Sequence, residues 1–278
     1  MSDNTDQITY WNAAAGQTWV ALNDELDRQL APLGEAAMDA LAPAAGERVL
    51  DIGCGCGQTT LALADRVGAG GAVLGVDISA PMLEVARRRA GLAIAAQAGF
   101  LEADAQTYPF EAATFDAAFS RFGVMFFSDP PAAFANLRRS LKPGGRLAFV
   151  CWRGMAENPW MTVPLAAGLQ HLAPLPPPEP GAPGPFGLAD GERTRGILET
   201  AGFSGIEVRP HDAPIGNEFE AGVRMALRIG PLGALMNANP EAAPAVMDSV
   251  RRALAAHTVD GRISLASATW IVTARNAA

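Results

Sequence analysis

The run Val49-Leu50-Asp51-Ile52-Gly53-Cys54-Gly55-Cys56-Gly57-Gln58-Thr59-Thr60 sets three glycines at alternate positions between an apolar stretch and a helix-like one. Glycines so placed permit tight backbone conformations and let a ligand approach without meeting a Cβ. The first amides of the following helix, Gln58 to Thr60, have no intrahelical acceptor and point at whatever sits there. Asp77 ends the next apolar run, 20 residues beyond Gly57. A carboxylate at that point can accept from both hydroxyls of a ribose. Asp104 ends a third run in register with the other two. A structural turn could use the same glycines, and Asp77 could instead serve as an N-terminal charge for a helix starting at Ser79. The three signals together point to binding of a nucleoside-bearing cofactor.

Other reactive groups say less. Cys54, Cys56 and Cys151 are too few for a disulfide framework and suit a reducing compartment. The Cys-x-Cys pair lacks the second pair of ligands that structural zinc needs, so no metal is expected. His171, His211 and His257 lie in no motif, and no general base is assigned. Arg121, Arg153 and Glu157 are candidate polar contacts. Arg87-Arg88-Arg89 and Arg251-Arg252 read as solvated helix faces, and a net charge of −8 argues against a phosphate backbone as the main partner. No apolar run approaches the ~20 residues needed to cross a bilayer, and Met1 to Gln7 lacks a signal-peptide pattern, which places the chain in the cytoplasm.

These residues need a scaffold, and 278 residues suffice for one α/β core with elaborations. Residues 1 to about 46 read as helical, with Trp19, Leu22, Leu26 and Leu30 at helical spacing, then Met38 and Leu41, closed by Pro43 and Gly46. Five short apolar runs follow, at 49–52, 73–77, 100–104, 115–119 and 146–150, alternating with amphipathic stretches. That alternation predicts a parallel sheet covered on both faces. Ser79 and Asp129, each followed within two residues by proline, are expected N-caps, and Lys142-Pro143-Gly144-Gly145 is an expected turn. Residues 173–185 suit an exposed connection, 190–201 a helix stopped by Gly202, 206–209 a strand, 216–260 helices carrying Val246, Val250 and Leu254, and 268–274 a last strand.

Glycine spacing separates the candidate cofactors. A dinucleotide loop reads Gly-x-Gly-x-x-Gly, whereas here the third glycine comes one position early and Gln58 follows. The loop resembles the Gly-x-Gly-x-Gly motif of class I S-adenosylmethionine (SAM)-dependent methyltransferases, to which Asp51 also belongs. Tyr10-Trp11, Trp19, the run from Ser120 to Phe127 and Leu141-Lys142-Pro143-Gly144-Gly145 are similar to the branch named for ubiquinone and menaquinone biosynthesis. The resemblance covers residues 45–152 well and the rest more loosely. It implies a doubly wound, mostly parallel seven-stranded sheet of order 3-2-1-4-5-7-6, with the last strand antiparallel and helical lid insertions. It also implies SAM as methyl donor and S-adenosylhomocysteine as product. Asp77 would hold the ribose, and Asp104 with the amide of Ala105 the adenine. The backbone around Ser120 and Phe122 would lie near the methionine part, with Trp11 or Trp19 closing over it. Asp51, Gly53, Cys54, Gly55, Gly57, Thr59, Ile78 and Met82 complete the expected cofactor set.

The acceptor pocket is expected over the carboxyl ends of the strands, lined by Arg121, Met125, Phe126, Trp152, Trp160 and Met161, which suits a small molecule with an apolar body. Three segments follow: an N-terminal helical lid at 1–45, a cofactor-binding Rossmann-like core at 46–152, and at 153–278 the last two strands with helical substrate-lid insertions. Either helical segment could instead be a homodimer contact. A SAM-binding regulator without turnover and a nicotinamide-dependent oxidoreductase remain rival readings. A nucleic-acid methyltransferase is disfavoured by charge and by the lack of an Asn-Pro-Pro-Tyr or Asp-Pro-Pro-Tyr motif.

Overall fold

The structure is a computed structural model that describes residues 4–93, 97–174, 176 and 179–277. Of the expected proline-rich connection, residues 175, 177 and 178 lie outside the described residues, as do residues 1–3 of the N-terminal segment.

The chain opens with three helices, α1 (Thr5–Asn12), α2 (Ala14–Ala21) and α3 (Asn23–Leu41). The alternating unit follows: β1 (Arg48–Ile52), α4 (Gln58–Val67), β2 (Ala72–Asp77), α5 (Ala80–Ala93), β3 (Ala98–Glu102), β4 (Phe115–Arg121), α6 (Pro130–Ser140) and β5 (Leu141–Trp152). Then come α7 (Pro159–Gly168), α8 (Gly191–Thr200), β6 (Phe203–Ile215), α9 (Phe219–Ala226), α10 (Gly230–Ala238) and α11 (Ala243–Ala255). A short hairpin, β7 (Thr258–Val259) with β8 (Arg262–Ile263), leads into β9 (Leu265–Asn276).

The main sheet has seven strands in the order β3-β2-β1-β4-β5-β9-β6. With the hairpin set aside this is the expected 3-2-1-4-5-7-6. The first five strands pair in parallel and β9 runs antiparallel to both neighbours. Sequential parallel strands need a crossover, and apolar strands such as Val49-Leu50 and Phe119 are fully buried because helices cover both faces.

Helix α3 crosses one face of the sheet and buries Leu26, Leu30, Leu33, Ala37, Met38 and Leu41, each such side chain adding about 1.5–3 kcal/mol. Its last carbonyls are caught by a strand residue. Arg146 donates from Nε to Leu41 O and from Nη2 to Ala42 O, both at 2.8 Å, and pairs with Glu47. A cation there also opposes the negative end of the helix dipole. The Arg146 guanidinium holds the Glu47 carboxyl below its ordinary value.

Several expectations need correction. β3 ends at Glu102, so Asp104 lies in the loop beyond it. The turn expected at Lys142-Pro143-Gly144-Gly145 is taken into β5 as an irregularity, between the pairs Phe115↔Leu141 and Ala117↔Arg146. Ser79 does not cap α5: its Oγ donates to Trp11 O at 2.8 Å, and the first amide of the helix, Ala80 N, is received by Asn12 Oδ1 at 2.9 Å. Asp129 does cap α6, accepting from Ala132 N. Strands β6 and β9 are far longer than their apolar cores suggested, because they form an antiparallel ribbon that extends past the sheet.

Candidate active site

The carboxyl ends of β1 to β5 meet at the glycine loop. Gly53, Gly55 and Gly57 all have positive φ, at 68°, 53° and 84°. They play unequal parts. A Cβ at Gly53 would lie 2.7 Å from Gly123 Cα and one at Gly57 2.8 Å from Ala86 Cβ, so these two are required by packing. A Cβ at Gly55 would meet nothing nearer than Met82 Sδ at 3.8 Å. Gly55 is thus the open face of the cradle.

Asp77 shapes that face. Its Oδ2 accepts from Gly55 N at 2.8 Å and its Oδ1 from Ser79 N at 2.9 Å, leaving a further lone pair on each oxygen. Burial raises its pKa against the opposing amide bonds. Asp51 is fully buried below the loop, where Oδ2 accepts from the hydroxyls of Thr59 and Thr60, both at 2.7 Å. Oδ1 has no partner among the described residues. Burial pushes its carboxyl up to about 6, opposed by the Thr60 and Thr59 hydrogen bonds. Cys54 and Cys56 are buried, which lifts the Cys54 thiol well above its ordinary value and the Cys56 thiol to about 12. Both therefore stay protonated near neutrality. No cluster of three metal-binding side chains occurs among the described residues.

The N-terminal helices lie across this cradle. Asn12 donates to Ile78 O at 2.8 Å, while Asn4 Nδ2 reaches Asp104 Oδ1 at 3.3 Å. Trp11 packs with Cys56, Met82 and Val85 and makes edge contacts with Trp19 at 5.4 Å and Phe126 at 5.1 Å. Asp104 also receives Gln106 N, and Ala105 is buried with its carbonyl bonded to Asn136. Two acceptors of the covering helix region, Asn4 Oδ1 and Gln7 Oε1, are buried without a donor among the described residues. Buried polar atoms of this kind call for a partner. The amino group and hydroxyls of an adenosine are donors, so these residues fit such a cofactor.

On the other side of the loop, Ser120 Oγ donates to Ile52 O and accepts from Gly123 N, fixing the chain at a residue with strained backbone, Phe122 (φ 60°). The Phe122 ring stacks on Trp152 at 4.1 Å, and Trp152 meets Trp160 at 4.9 Å. Met161 is buried beside them, while Met125 belongs to the main core. Arg121 is engaged elsewhere: it donates to Gln58 Oε1 and pairs with Asp27.

Asp27 was not singled out in the sequence, and neither were Asn4, Asn12 or Gln7. Its carboxylate is shared by Arg121 and Arg89, and Arg89 also donates to the Cys56 carbonyl at 3.2 Å and pairs with Asp24. The third arginine of Arg87-Arg88-Arg89 is therefore part of the site's frame, not of a solvated face. Arg251-Arg252 stays on a solvated helix face, where Arg251 pairs with Glu220 and lies over Phe219. Arg153 pairs with Glu157 and Asp212 and sits over Trp270. His171 bonds Ser249, His257 is exposed and His211 lies on β6, so no histidine joins the cradle.

Sheet order, glycine loop and strand-end carboxylates define a class I methyltransferase fold, and residues 49–145 match the family described as a methyltransferase domain. Residues 49–145 thus form a methyltransferase domain on the class I fold. It is 39% identical over 118 residues to aklanonic acid methyltransferase DauC of Streptomyces sp. (strain C5), covering 42% of this chain and 54% of that one. It is 43% identical over 112 residues to a demethylmenaquinone methyltransferase of Clavibacter sepedonicus, covering 40% and 44%. The chain thus spans about half the length of these curated relatives. The crystal structure of YcgJ from Bacillus subtilis has the same fold, with a TM-score of 0.58 at 18% identity over 87% of this chain and 97% of that one.

Proposed function

We propose that this protein transfers the methyl group of SAM to a small molecule with an apolar body. The observation that carries the reading is the cradle itself: the open face of Gly55, with the Asp77 carboxylate bonded to its amide and Asp104 beyond. When bound there, SAM supplies an already activated methyl group, so the protein's task is placement. Asp77 holds the ribose, Asp104 and Ala105 the adenine, and the segment Ser120 to Phe122 flanks the methionine part. Gly53, Cys54, Gly57, Thr59, Ile78 and Met82 shape the walls. The acceptor approaches from the side of Trp152, Trp160 and Met161, and no residue is assigned as its base. Holding two reactants in line can lower a barrier by about 7–11 kcal/mol.

Helices α1 and α2 form the lid on the cofactor side, supported by their contacts with Asp104, Ile78 and Ser79. The insertion α9 to α11 forms the lid on the acceptor side, where its core is shared with α7. Excluding water from the closed site strengthens every electrostatic contact in it. The relatives' names, for aklanonic acid and demethylmenaquinone, support a small-molecule acceptor. No helix among the described residues is long and apolar enough to cross a membrane. With three unpaired cysteines and a net charge of −8, we assign the work to the cytoplasm and to metabolites in preference to nucleic acid.

The test is incubation with methyl-labelled SAM and a small-molecule extract, followed by identification of the labelled product. Label in a metabolite supports the assignment. Tight SAM binding with no labelled metabolite would make the protein a SAM-responsive binder, and preference for NADH over SAM in calorimetry would overturn the cofactor.

A further inference from the structure

Beyond Trp160 the structure holds a narrow pocket of about 40 Å³, at the seam of α3, α7, α9, α10 and the start of β9. Its walls are apolar, including Trp160, Ile215, Leu232 and Leu265, and no charged side chain lines it. Two amides form its polar part. Asn217, 1% exposed, donates from Nδ2 to Glu25 O and to Gln29 Oε1, both at 3.1 Å. That leaves Gln29 Nε2, a donor, and Asn217 Oδ1, an acceptor, with no protein partner among the described residues.

The pocket adjoins the aromatic side chains expected to receive the acceptor. Trp160 is one of its walls, Trp160 meets Trp152 at 4.9 Å, and Trp152 stacks on Phe122, which follows β4 beside the glycine loop. An acceptor held against Trp160 would therefore present one edge to the pocket. The volume admits an edge of such a molecule, since about 10–15 Å³ is the room one water needs.

Building on the methyl-transfer reading, we infer that Gln29 and Asn217 form the subsite that selects the acceptor, taking the far edge of a neutral, planar, apolar molecule that bears a hydroxyl next to a carbonyl. The free amide donor meets the carbonyl and the free amide oxygen meets the hydroxyl. An anionic group is rejected because no cation is present to offset its desolvation, which is large for an unpaired charge. A substrate lacking the oxygen pair leaves both amides unpaired, and sites built on buried hydrogen bonds discriminate strongly on that basis.

Two probes of one frame test this: 1-hydroxyanthraquinone, which is neutral, and anthraquinone-2-sulfonate, a permanent anion. Each is titrated into the protein saturated with S-adenosylhomocysteine, following tryptophan fluorescence. The wild type should bind the neutral probe more tightly than the sulfonate by about tenfold or more. Gln29→Glu keeps an oxygen that receives Asn217 and replaces the free donor with an acceptor oxygen. It should weaken the neutral probe by roughly tenfold while S-adenosylhomocysteine affinity stays within about twofold. If Gln29→Glu loses the cofactor as well, Gln29→Met, uncharged and of similar size, replaces it with the same expectation. Equal binding of the two probes by the wild type, or neutral-probe binding untouched in the variant, overturns the subsite. Failure of the wild type to bind S-adenosylhomocysteine at all would instead overturn the methyltransferase reading, so the two failures are separable.

Discussion

Asp77 and Asp51 sit one strand apart, yet their environments give them different work. Asp77 bonds the loop it serves, accepting from the amide of Gly55, the glycine whose Cβ side is open. Asp77→Ala should weaken SAM and S-adenosylhomocysteine by roughly tenfold to a hundredfold in calorimetry, the cost of losing hydrogen bonds to a charged acceptor. Asp51 is buried with one oxygen unpartnered and its pKa raised to about 6. A carboxyl whose folded pKa exceeds its unfolded one binds its proton more tightly in the folded chain. Its contribution therefore falls as pH rises from about 4 to about 6 and stays lost above that. Asp51→Asn keeps acceptors for Thr59 and Thr60 and cannot ionise. Its stability relative to wild type should improve by on the order of 2–3 kcal/mol between pH 4 and pH 7. Thermal melts of both proteins across that range check the slope, and a difference that does not change with pH contradicts the assignment. The sequence showed both aspartates, because motif spacing is local. It hid Asn4 and Asn12, whose partners lie 100 and 66 residues away, and Gln7, whose Oε1 has no partner among the described residues.

Helices α1 to α3 look like one continuous amphipathic stretch in the sequence but divide their roles in space. Leucine spacing marked α3, since its buried stripe is periodic, whereas α1 and α2 follow the contour of the cofactor cradle and carry no comparable stripe. Asp27 links the two regions. Through Arg121 it reaches Gln58, and through Arg89 the Cys56 carbonyl, so both sides of the glycine loop's exit hang on one side chain of α3. Asp27→Asn should raise the dissociation constant for S-adenosylhomocysteine by about tenfold, from loss of charge-assisted bonds. Unchanged cofactor affinity, measured calorimetrically, would reduce Asp27 to a support of the fold. Removing residues 1–24 deletes the helices proposed as the lid and the Arg89 contacts to Asn23 and Asp24, and removes no strand of the sheet. Circular dichroism should then stay near wild type, with cofactor retention and methyl transfer impaired. Unchanged turnover would remove these residues from the lid.

At the scale of the whole molecule, the sheet ends in an edge. β6 borders only β9, runs for 13 residues and is largely exposed. Its alternation was legible only in Ile206 to Arg209, because on this edge strand only the two ends, Phe203 and Ile215, are fully buried and the residues between are half-buried or exposed. Two prolines, Pro210 opposite Trp270 and Pro214 opposite Ala266, lie in that ribbon. Proline fits a strand only where its missing N–H would have faced away from the ladder, which leaves gaps in the outer row of donors. Pro210→Val with Pro214→Val should restore that row and cause self-association on warming, seen by light scattering against wild type at equal concentration. A variant that stays as monodisperse as wild type removes this role. The shared carboxylate of Asp27 has a consequence at the same scale. If the loop's grip on the cofactor depends on α3 and the helices it anchors, thermodynamic reciprocity requires the cofactor to stabilise the lid's closed position by an equal free energy. On the proposed methyl-transfer reading, departure of the spent cofactor and opening of these helices would be one event, and turnover could run no faster than that event.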